Sequence, residues 1–240
     1  MQNHISTVLV TGANRGLGLE FSRQYLDQGY RVLATCRSPE QAIDLSGLGN
    51  DEDRLEVFAL DVADFSAVDA LAETLSGRHV DILINNAGVF GPKPKAERDL
   101  RQSFGHLSYD LWAEIFRINS QAPVKLAEAL LPNLLAGSQR KVVNISSTEG
   151  SIAGANAGLY AYRTSKAALN MATALLAADL VNQNIIAAAL NPGWVKTRMG
   201  GPQGVLEPEQ SIASMRQVIE GLTMDDTGAF LDYNGDSIPW

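Results

Sequence analysis

Tyr162 and Lys166 are the two residues whose types and spacing most directly suggest chemistry. On a helix, residues four apart share one face, so the phenol and the ammonium would point into the same space. A free phenol has a pKa near ~10, but a neighbouring cation favours the phenolate and lowers that pKa. The pair predicts a tyrosine that exchanges a proton with an alcohol or carbonyl oxygen, although such a pair is also common on solvated helices.

A second candidate is the glycine-rich segment 11–18, where Gly12, Gly16 and Gly18 stand between an apolar run and a helical pattern. Glycines at such a turn let the backbone approach a pyrophosphate, and the helix start offers free N–H groups and a positive dipole end. The spacing Gly-x-x-x-Gly-x-Gly lacks the Gly-Lys-Ser/Thr ending of an NTPase loop. The segment favours a dinucleotide over ATP, with an ordinary strand-to-helix turn as the alternative.

The elements that must position these residues alternate between strands and helices. Apolar runs predict strands at 4–10, 32–36, 55–60, 82–84, 142–145 and 185–190. Helical patterns follow the glycine turn and recur at 64–75 with Asp64 as N-cap, 109–135 with Ser108 as N-cap, 160–181 and 208–222. Repeated βα units predict an α/β fold with a doubly wound parallel sheet and ligands at the carboxyl ends of the strands.

Polar or glycine-bearing segments follow four of these strands. They are Asp61 and Val62, then Asn85, Asn86, Ala87 and Gly88, then Ser146 and Ser147, and finally Asn191, Pro192 and Gly193. One such ending would be ordinary loop chemistry. Four on one edge of a sheet, beside the glycine turn, outline a continuous groove.

Composition limits the class of protein. The 240 residues, 45% of them hydrophobic, can bury a full core, and we expect one domain over residues 1–240. Without a signal-peptide pattern or a membrane-length apolar run, we expect a cytoplasmic protein. A net charge of -8 opposes nucleic acid or an anionic membrane as partner. The lone Cys36 excludes an internal disulfide, and His4, His79 and His106 lack metal-ligand spacing, so we expect no metal site.

In order and at compatible distances, the motifs resemble the short-chain dehydrogenase/reductase family over nearly the whole chain. The matching residues are the glycine turn, Asn85 to Gly88, Asn119, Ser147, Tyr162, Lys166, Pro192 and Gly193. The resemblance implies a Rossmann-type sheet of about seven strands. It implies that Tyr162 is the general acid of carbonyl reduction, and that Lys166 tunes it and holds the nicotinamide ribose.

Two further catalytic roles are implied by the resemblance. Ser147 would hydrogen-bond the substrate oxygen, although the neighbouring Ser146 remains an alternative. Asn119 would anchor a water in a proton relay to Lys166, the alternative being a helix asparagine satisfied by the backbone. Cofactor contacts are implied for Gly12, Asn14, Arg15, Gly16, Leu17, Gly18, Arg37, Asp61, Val62, Asn86, Ala87, Gly88, Tyr162, Lys166, Pro192, Gly193, Val195 and Thr197.

Arg15 and Arg37 indicate which dinucleotide binds. NAD-binding relatives place an acidic residue at the end of the second strand, where this chain has Cys36 followed by Arg37. The two guanidinium groups could instead straddle a 2′-phosphate through charge-assisted hydrogen bonds. The sequence therefore predicts NADP(H), with two solvated surface arginines as the alternative.

The substrate is less well defined. Loops 89–107 and 194–207 are expected to shape its pocket, with Phe90 and Trp194 as apolar walls. The glycines of the second loop would form either a mobile flap or a flexible connection. Residues 231–240 resemble the subgroup of C-factor and sniffer-type carbonyl reductases. This implies an aldehyde, ketone or quinone substrate, or alternatively an NADP(H)-binding signalling protein. The face with Ala167, Ala168, Met171 and Leu175 would suit a homodimer or homotetramer, or internal core.

Overall fold

Seven parallel strands form one sheet at the centre of the structure, in the order β3-β2-β1-β4-β5-β6-β7. The computed structural model describes residues 5–49, 54–93 and 98–240, so His4 and part of loop 89–107 lie outside the described residues. The strands are β1 (Thr7–Thr11), β2 (Arg31–Cys36), β3 (Leu55–Ala59), β4 (Ile82–Asn85), β5 (Lys141–Ile145), β6 (Ile186–Asn191) and β7 (Phe230–Asp232). The strand order reverses between β1 and β4, which confirms the predicted doubly wound, Rossmann-type α/β sheet.

Helices cover both faces of the sheet. They are α1 (Gly16–Asp27), α2 (Ile43–Ser46), α3 (Phe65–Thr74), α4 (Tyr109–Phe116), α5 (Ala122–Ala129), α6 (Leu131–Ala136), α7 (Tyr160–Leu180) and α8 (Pro208–Gly221). Both predicted N-caps are confirmed, because Asp64 accepts from the N–H of Ser66 and Ser108 accepts from the N–H of Leu111. Within the described ranges, none of the helices is both long and apolar enough to span a membrane.

The core has two halves, one on each face of the sheet. Side chains alternate along β1, so Val8 and Val10 pack with Tyr25 under α1 and α8, whereas Leu9 packs with Leu126 under α3, α5 and α7. All five are fully buried. Because both faces of the strands are covered, the strands appear in the sequence as continuous apolar runs.

The predicted helix 109–135 is wrong in its continuity. It is divided into α4, a π-helical turn at Arg117–Gln121, α5 and α6. Pro123 has no N–H to give to the carbonyl of Asn119, four residues earlier in the chain. The N–H of Ala122 instead bonds to the carbonyl of Arg117, five residues back. The break lies at Asn119, one of the predicted site residues.

A buried polar rung joins β4, β5 and α7. Asn85 and Asn144 are register partners, and the Asn85 Nδ2 donates to the Asn144 Oδ1 at 2.8 Å. The Asn144 Nδ2 in turn donates to the Thr173 Oγ1 of α7 at 2.8 Å. The rung ties together two strands and the helix whose ends meet at the predicted groove.

Two buried charges hold the opposite, amino-terminal edge of the sheet. Asp81 accepts from the N–H of Thr7 at 2.7 Å and from the N–H and Oγ of Ser138 at 2.6 and 2.7 Å. Burial acts to raise the pKa of Asp81, but these hydrogen bonds outweigh it and hold the pKa below its ordinary value. The Lys141 Nζ donates to the carbonyl of Ile219 at 2.7 Å, at the end of α8, and burial lowers the pKa of this lysine.

Candidate active site

A cleft of about 920 Å³ lies at the carboxyl edge of the sheet. Sixteen of the predicted cofactor residues line it: Gly12, Asn14, Arg15, Gly16, Leu17, Gly18, Arg37, Asp61, Val62, Asn86, Ala87, Gly88, Tyr162, Lys166, Pro192 and Thr197. Gly193, Val195, Asn119 and Ser147 lie outside this lining. The polar strand endings therefore meet in one groove, as expected from the topology.

The glycine turn forms a cradle that side chains would fill. Gly12 and Gly16 have φ angles of +65° and +55°, in the left-handed region that favours glycine. A Cβ on Gly18 would lie 2.3 Å from the carbonyl oxygen of Gly12 and 2.5 Å from the Asn86 Nδ2. The N-cap Arg15 makes no side-chain hydrogen bond to the first turn of α1, so the N–H groups at the start of this helix have no side-chain cap. The cradle fits a pyrophosphate.

Arg15 and Arg37 reach the cleft from the glycine turn and from the end of β2. β2 ends at Cys36, so no carboxylate stands where a ribose diol would be held. Both arginines are exposed, and within residues 5–49, 54–93 and 98–240 neither pairs with a carboxylate. The two guanidinium groups fit a 2′-phosphate.

Tyr162 and Lys166 lie one turn apart on α7 and are both 6% exposed. The Lys166 Nζ lies 6.0 Å from the centre of the Tyr162 ring and donates to the carbonyl of Ile145 at 2.7 Å. This bond anchors the lysine to the end of β5. The two side chains share one helix face, as their spacing predicted.

Ser147 and Ser146 differ in their surroundings, and only Ser147 acts on the pKa of the Tyr162 phenol. Ser147 lowers the pKa of the Tyr162 phenol, which shows that the two side chains lie close to each other. Ser147 is positioned by the start of a short 3₁₀ turn, where its Oγ accepts from the N–H of Glu149 at 3.1 Å. Ser146 lines the cleft, but its Oγ donates to the Asn170 Oδ1 at 2.6 Å. The bond to Asn170 engages the Ser146 hydroxyl, which favours Ser147 as the serine that acts with the predicted proton donor.

Burial dominates the electrostatics of the site. It raises the pKa of Tyr162 to about 12. Ser147 acts to lower this pKa, and the charge of Glu149 adds to the increase. Burial also lowers the pKa of Lys166 to about 8. The expectation that the lysine lowers the pKa of the phenol is therefore not met. At neutral pH, Tyr162 holds its proton.

Asn119 is bonded to the backbone, as the alternative considered for it predicted, and its part in a water relay stays a prediction. Its side chain accepts from the N–H of Val89 at 2.9 Å, and it donates to the carbonyl of Val89 at 2.8 Å and to the Ser165 Oγ at 3.0 Å. A Cβ on Gly88 would lie 3.3 Å from the Asn119 Oδ1 and 3.8 Å from the Lys166 Nζ. Asn119 thus holds the loop after β4 against α7, with Gly88 between it and the lysine.

Two loops border the catalytic end of the cleft. The Phe90 ring lies 4.5 Å from the Tyr162 ring, centre to centre. The Lys93 Nζ donates to the carbonyl of Met199 at 2.7 Å and so links the two loops. In the second loop, a Cβ on Gly200 would lie 2.0 Å from the carbonyl oxygen of Val195. Close packing therefore accounts for this glycine, and the mobile flap stays a prediction.

Two residues that contact the catalytic helix, Gln102 and Glu149, were not predicted from the sequence. The Gln102 Oε1 accepts from the N–H of Tyr162 at 2.9 Å, and Glu149 forms an ion pair with Arg163. No sequence motif marks either residue, since their importance depends on contacts across the fold.

No group of three or more His, Cys, Asp or Glu side chains suited to a metal ion occurs in the part of the chain that the structure describes.

Sequence comparisons agree with the site. The model of the family described as short chain dehydrogenase matches residues 6–205. The chain is 41% identical over 172 residues to the C-signal of Myxococcus xanthus, covering 71% of this chain and 99% of that protein. It is 32% identical over 243 residues to a 1-hydroxy-2-glutathionyl-2-methyl-3-butene dehydrogenase of Rhodococcus sp. (strain AD45), covering 98% of this chain and all of that one.

Solved structures show the same fold. The carbonyl reductase Sniffer of D. melanogaster superposes with a TM-score of 0.89 at 34% identity, covering 99% of this chain and all of that one. An NADPH-bound carbonyl reductase from chicken fatty liver gives a TM-score of 0.88 at 34% identity and the same coverage. The sheet order, the glycine cradle, the Tyr162 and Lys166 pair and these matches lead to one conclusion: the chain belongs to the short-chain dehydrogenase/reductase family.

Proposed function

We propose that this protein is an NADPH-dependent carbonyl reductase. The observation that carries the proposal is the pair of Tyr162 and Lys166, which lie buried one helical turn apart in the lining of the cleft, with Ser147 lowering the pKa of the phenol. The NADP(H)-bound structures among its relatives, including that of the chicken carbonyl reductase, support the choice of cofactor. An aldehyde, ketone or quinone is the substrate class that this proton donor serves.

The cradle of Gly12, Gly16 and Gly18 would hold the pyrophosphate of the cofactor, with Arg15 and Arg37 on the 2′-phosphate. Asp61 and Val62 would contact the adenine, Asn86 to Gly88 the ribose, and Val195 and Thr197 the carboxamide, with Pro192 and Gly193 shaping the wall. When bound, the reduced nicotinamide would supply a hydride to the carbonyl carbon.

The residues of this chain supply the proton and the orientation. Ser147 and Tyr162 both hydrogen-bond the carbonyl oxygen, and the Tyr162 hydroxyl gives its proton to that oxygen as the alcohol forms. The tyrosine suits this role because its pKa of about 12 keeps it protonated at neutral pH. Lys166, with its pKa lowered to about 8, exchanges a proton readily with solvent. It returns a proton to the Tyr162 phenolate through a water that Asn119 would anchor.

Replacement of Tyr162 by phenylalanine tests the proposal. Loss of the proton donor should lower kcat for a carbonyl substrate by about 10²–10⁴-fold, while most of the NADPH affinity remains. NADPH absorbance with a panel of aldehydes, ketones and quinones measures the rate, and NADPH fluorescence measures binding. Wild-type protein that binds NADPH but reduces no member of the panel would contradict the proposal.

A second candidate function is cofactor-dependent signalling, which the 41% identity to the C-signal of Myxococcus xanthus favours. A signalling protein needs the glycine cradle and Arg15 to bind its ligand but has no need of a proton donor. The Tyr162→Phe variant separates the two. A signalling output that survives in this variant supports the second function, and an output lost together with turnover supports the reductase.

We also propose that α7 mediates self-association. Met171 and Leu175, one turn apart on this helix, are 62% and 58% exposed, so this part of the predicted face is not internal core. Two apolar side chains at helical spacing suit packing against a second copy. Size-exclusion chromatography of the wild type and of Met171→Glu tests this, and a monomeric wild type would contradict it.

A further inference from the structure

Gln102 lies on the loop between β4 and α4, and it is 0% exposed. Its Oε1 accepts from the N–H of Tyr162 at 2.9 Å. Its Nε2 donates to the carbonyls of Phe90 at 2.8 Å and Pro92 at 2.9 Å. One buried amide therefore uses its acceptor on the catalytic helix and its donors on the loop that borders the substrate end of the cleft.

The first turn of α7 depends on this contact. Its N-cap residue, Leu159, has a φ of +55° and forms no side-chain cap. The first N–H groups of a helix have no partner within the helix. Gln102 satisfies two of them, because its side chain takes the N–H of Tyr162 and its backbone carbonyl takes the N–H of Tyr160 at 3.1 Å. A residue about 60 positions away in the chain thus caps the catalytic helix.

The loop side of the contact is equally tight. Gly91, between the two carbonyls that Gln102 binds, has a φ of +76°. A Cβ on it would lie 2.9 Å from the Gln102 Nε2 and 2.7 Å from the Ile115 Cδ1. The residue before it, Phe90, places its ring 4.5 Å from that of Tyr162. The amide therefore fixes the backbone that presents the aromatic wall.

We propose that Gln102 is a positioning residue, which holds the Tyr162 phenol at a fixed depth against Phe90 and so aligns the proton donor with the wall on which the carbonyl substrate packs. This inference rests on the proposed reductase function. A purely stabilising glutamine would affect unfolding only. A positioning residue affects kcat and KM of the folded enzyme.

Gln102→Met removes all three hydrogen bonds at similar volume. A misplacement near 1 Å costs up to about 10²-fold in rate, so kcat should fall about 10- to 100-fold. KM for the carbonyl should rise because Phe90 loses its support. The NADPH dissociation constant should change much less than kcat, since the glycine cradle, Arg15 and Arg37 are untouched. Gln28→Met, at the exposed end of α1, is the matched control and should behave like the wild type.

Gln102→Glu separates the two sides of the contact. The carboxyl keeps an oxygen for the N–H of Tyr162 and loses at least one of the two donors to the loop. It should therefore retain more kcat than Gln102→Met while its KM still rises. This variant also serves if the methionine variant does not fold. A folded Gln102→Met with kcat and KM within about twofold of the wild type would overturn the proposal.

Hydrogen exchange gives a readout that needs no substrate. In Gln102→Met, amides in residues 89–93 and 160–163 should exchange faster, and those of the glycine turn should not change. If the wild type binds NADPH but reduces no carbonyl, the proposed function fails while this readout still decides the role of Gln102. Unchanged exchange at 160–163 would show that Gln102 does not hold Tyr162.

Discussion

Arg37 offers the sharpest test of cofactor recognition. It follows directly after β2, lines the cleft and pairs with no carboxylate of the described residues. Replacing it by alanine removes a cation at the place where the 2′-phosphate of NADPH is expected. NADH lacks that phosphate, so the variant should lose affinity for NADPH and keep its affinity for NADH.

The magnitude follows from the type of contact and its exposure. A hydrogen bond to a charged group contributes about 1.5–3 kcal/mol. Because Arg37 is exposed, solvent screening favours the lower end of that range. Since about 1.4 kcal/mol corresponds to a factor of ten, the NADPH dissociation constant should rise about tenfold. Arg15→Ala should have a similar effect, and the double variant should show coupling if both arginines bind one phosphate.

Fluorescence titration with each dinucleotide measures the effect. Arg198→Ala is a matched control, because Arg198 lines the same cleft from the loop after β6 and should not change the ratio of the two affinities. Arg37→Asp supplies a carboxylate that can accept from ribose hydroxyls, so it should bind NADH more tightly than NADPH. Equal loss of NADH and NADPH affinity in Arg37→Ala would refute the assignment.

Three further predictions concern the cradle, the catalytic serine and the buried carboxylate. Gly18→Ala should abolish NADPH binding, because its Cβ would lie 2.3 Å from the carbonyl oxygen of Gly12; Gly221→Ala, with open space around it, is the control for titration. Ser147→Ala should lower kcat by about 10²-fold or more with little change in Tm, whereas a larger kcat loss in Ser146→Ala would reverse the assignment. Asp81→Asn should lose about 3 kcal/mol and roughly 6–12 °C in Tm at neutral pH. The fold lowers the pKa of Asp81, so the stability that its carboxylate contributes is fully present above the ordinary carboxyl pKa of about 3.9. This stability is lost as the pH falls through the pKa of the folded state, and the difference in Tm between the wild type and Asp81→Asn should therefore shrink in acid. A difference in Tm that does not change with pH would contradict this.

The sequence was sufficient for the sheet and for most of the groove. Apolar runs bounded by glycine and polar residues predicted six strands within a few residues, because both faces of a parallel sheet exclude water. Topology then brought the strand endings together without further information. The spacing of Tyr162 and Lys166 also predicted their common helix face correctly.

The remaining features depend on tertiary contacts or on a pattern that was not used. The π-helical turn at Asn119 was predictable from Pro123, which cannot donate to the carbonyl four residues earlier. The increase in the pKa of Tyr162 above its ordinary value was not predictable, since desolvation depends on all the groups packed around the phenol. Gln102 was not predictable either, because no sequence pattern shows that its amide joins its own loop to the N–H of Tyr162, 60 positions away.

The Asn85–Asn144 rung has a consequence for assembly of the sheet. β4 and β5 are short and apolar, so their hydrophobic content alone fits several alignments. A slip of one residue turns every side chain to the opposite face. A slip of two would set Asn85 against Val142 and leave buried amides unpaired, at about 1–3 kcal/mol each. The rung thus disfavours misaligned pairing of β4 with β5. Because Gly88 and Ser147 follow these two strands, correct alignment also sets the relative height of the two loops that contain these site residues.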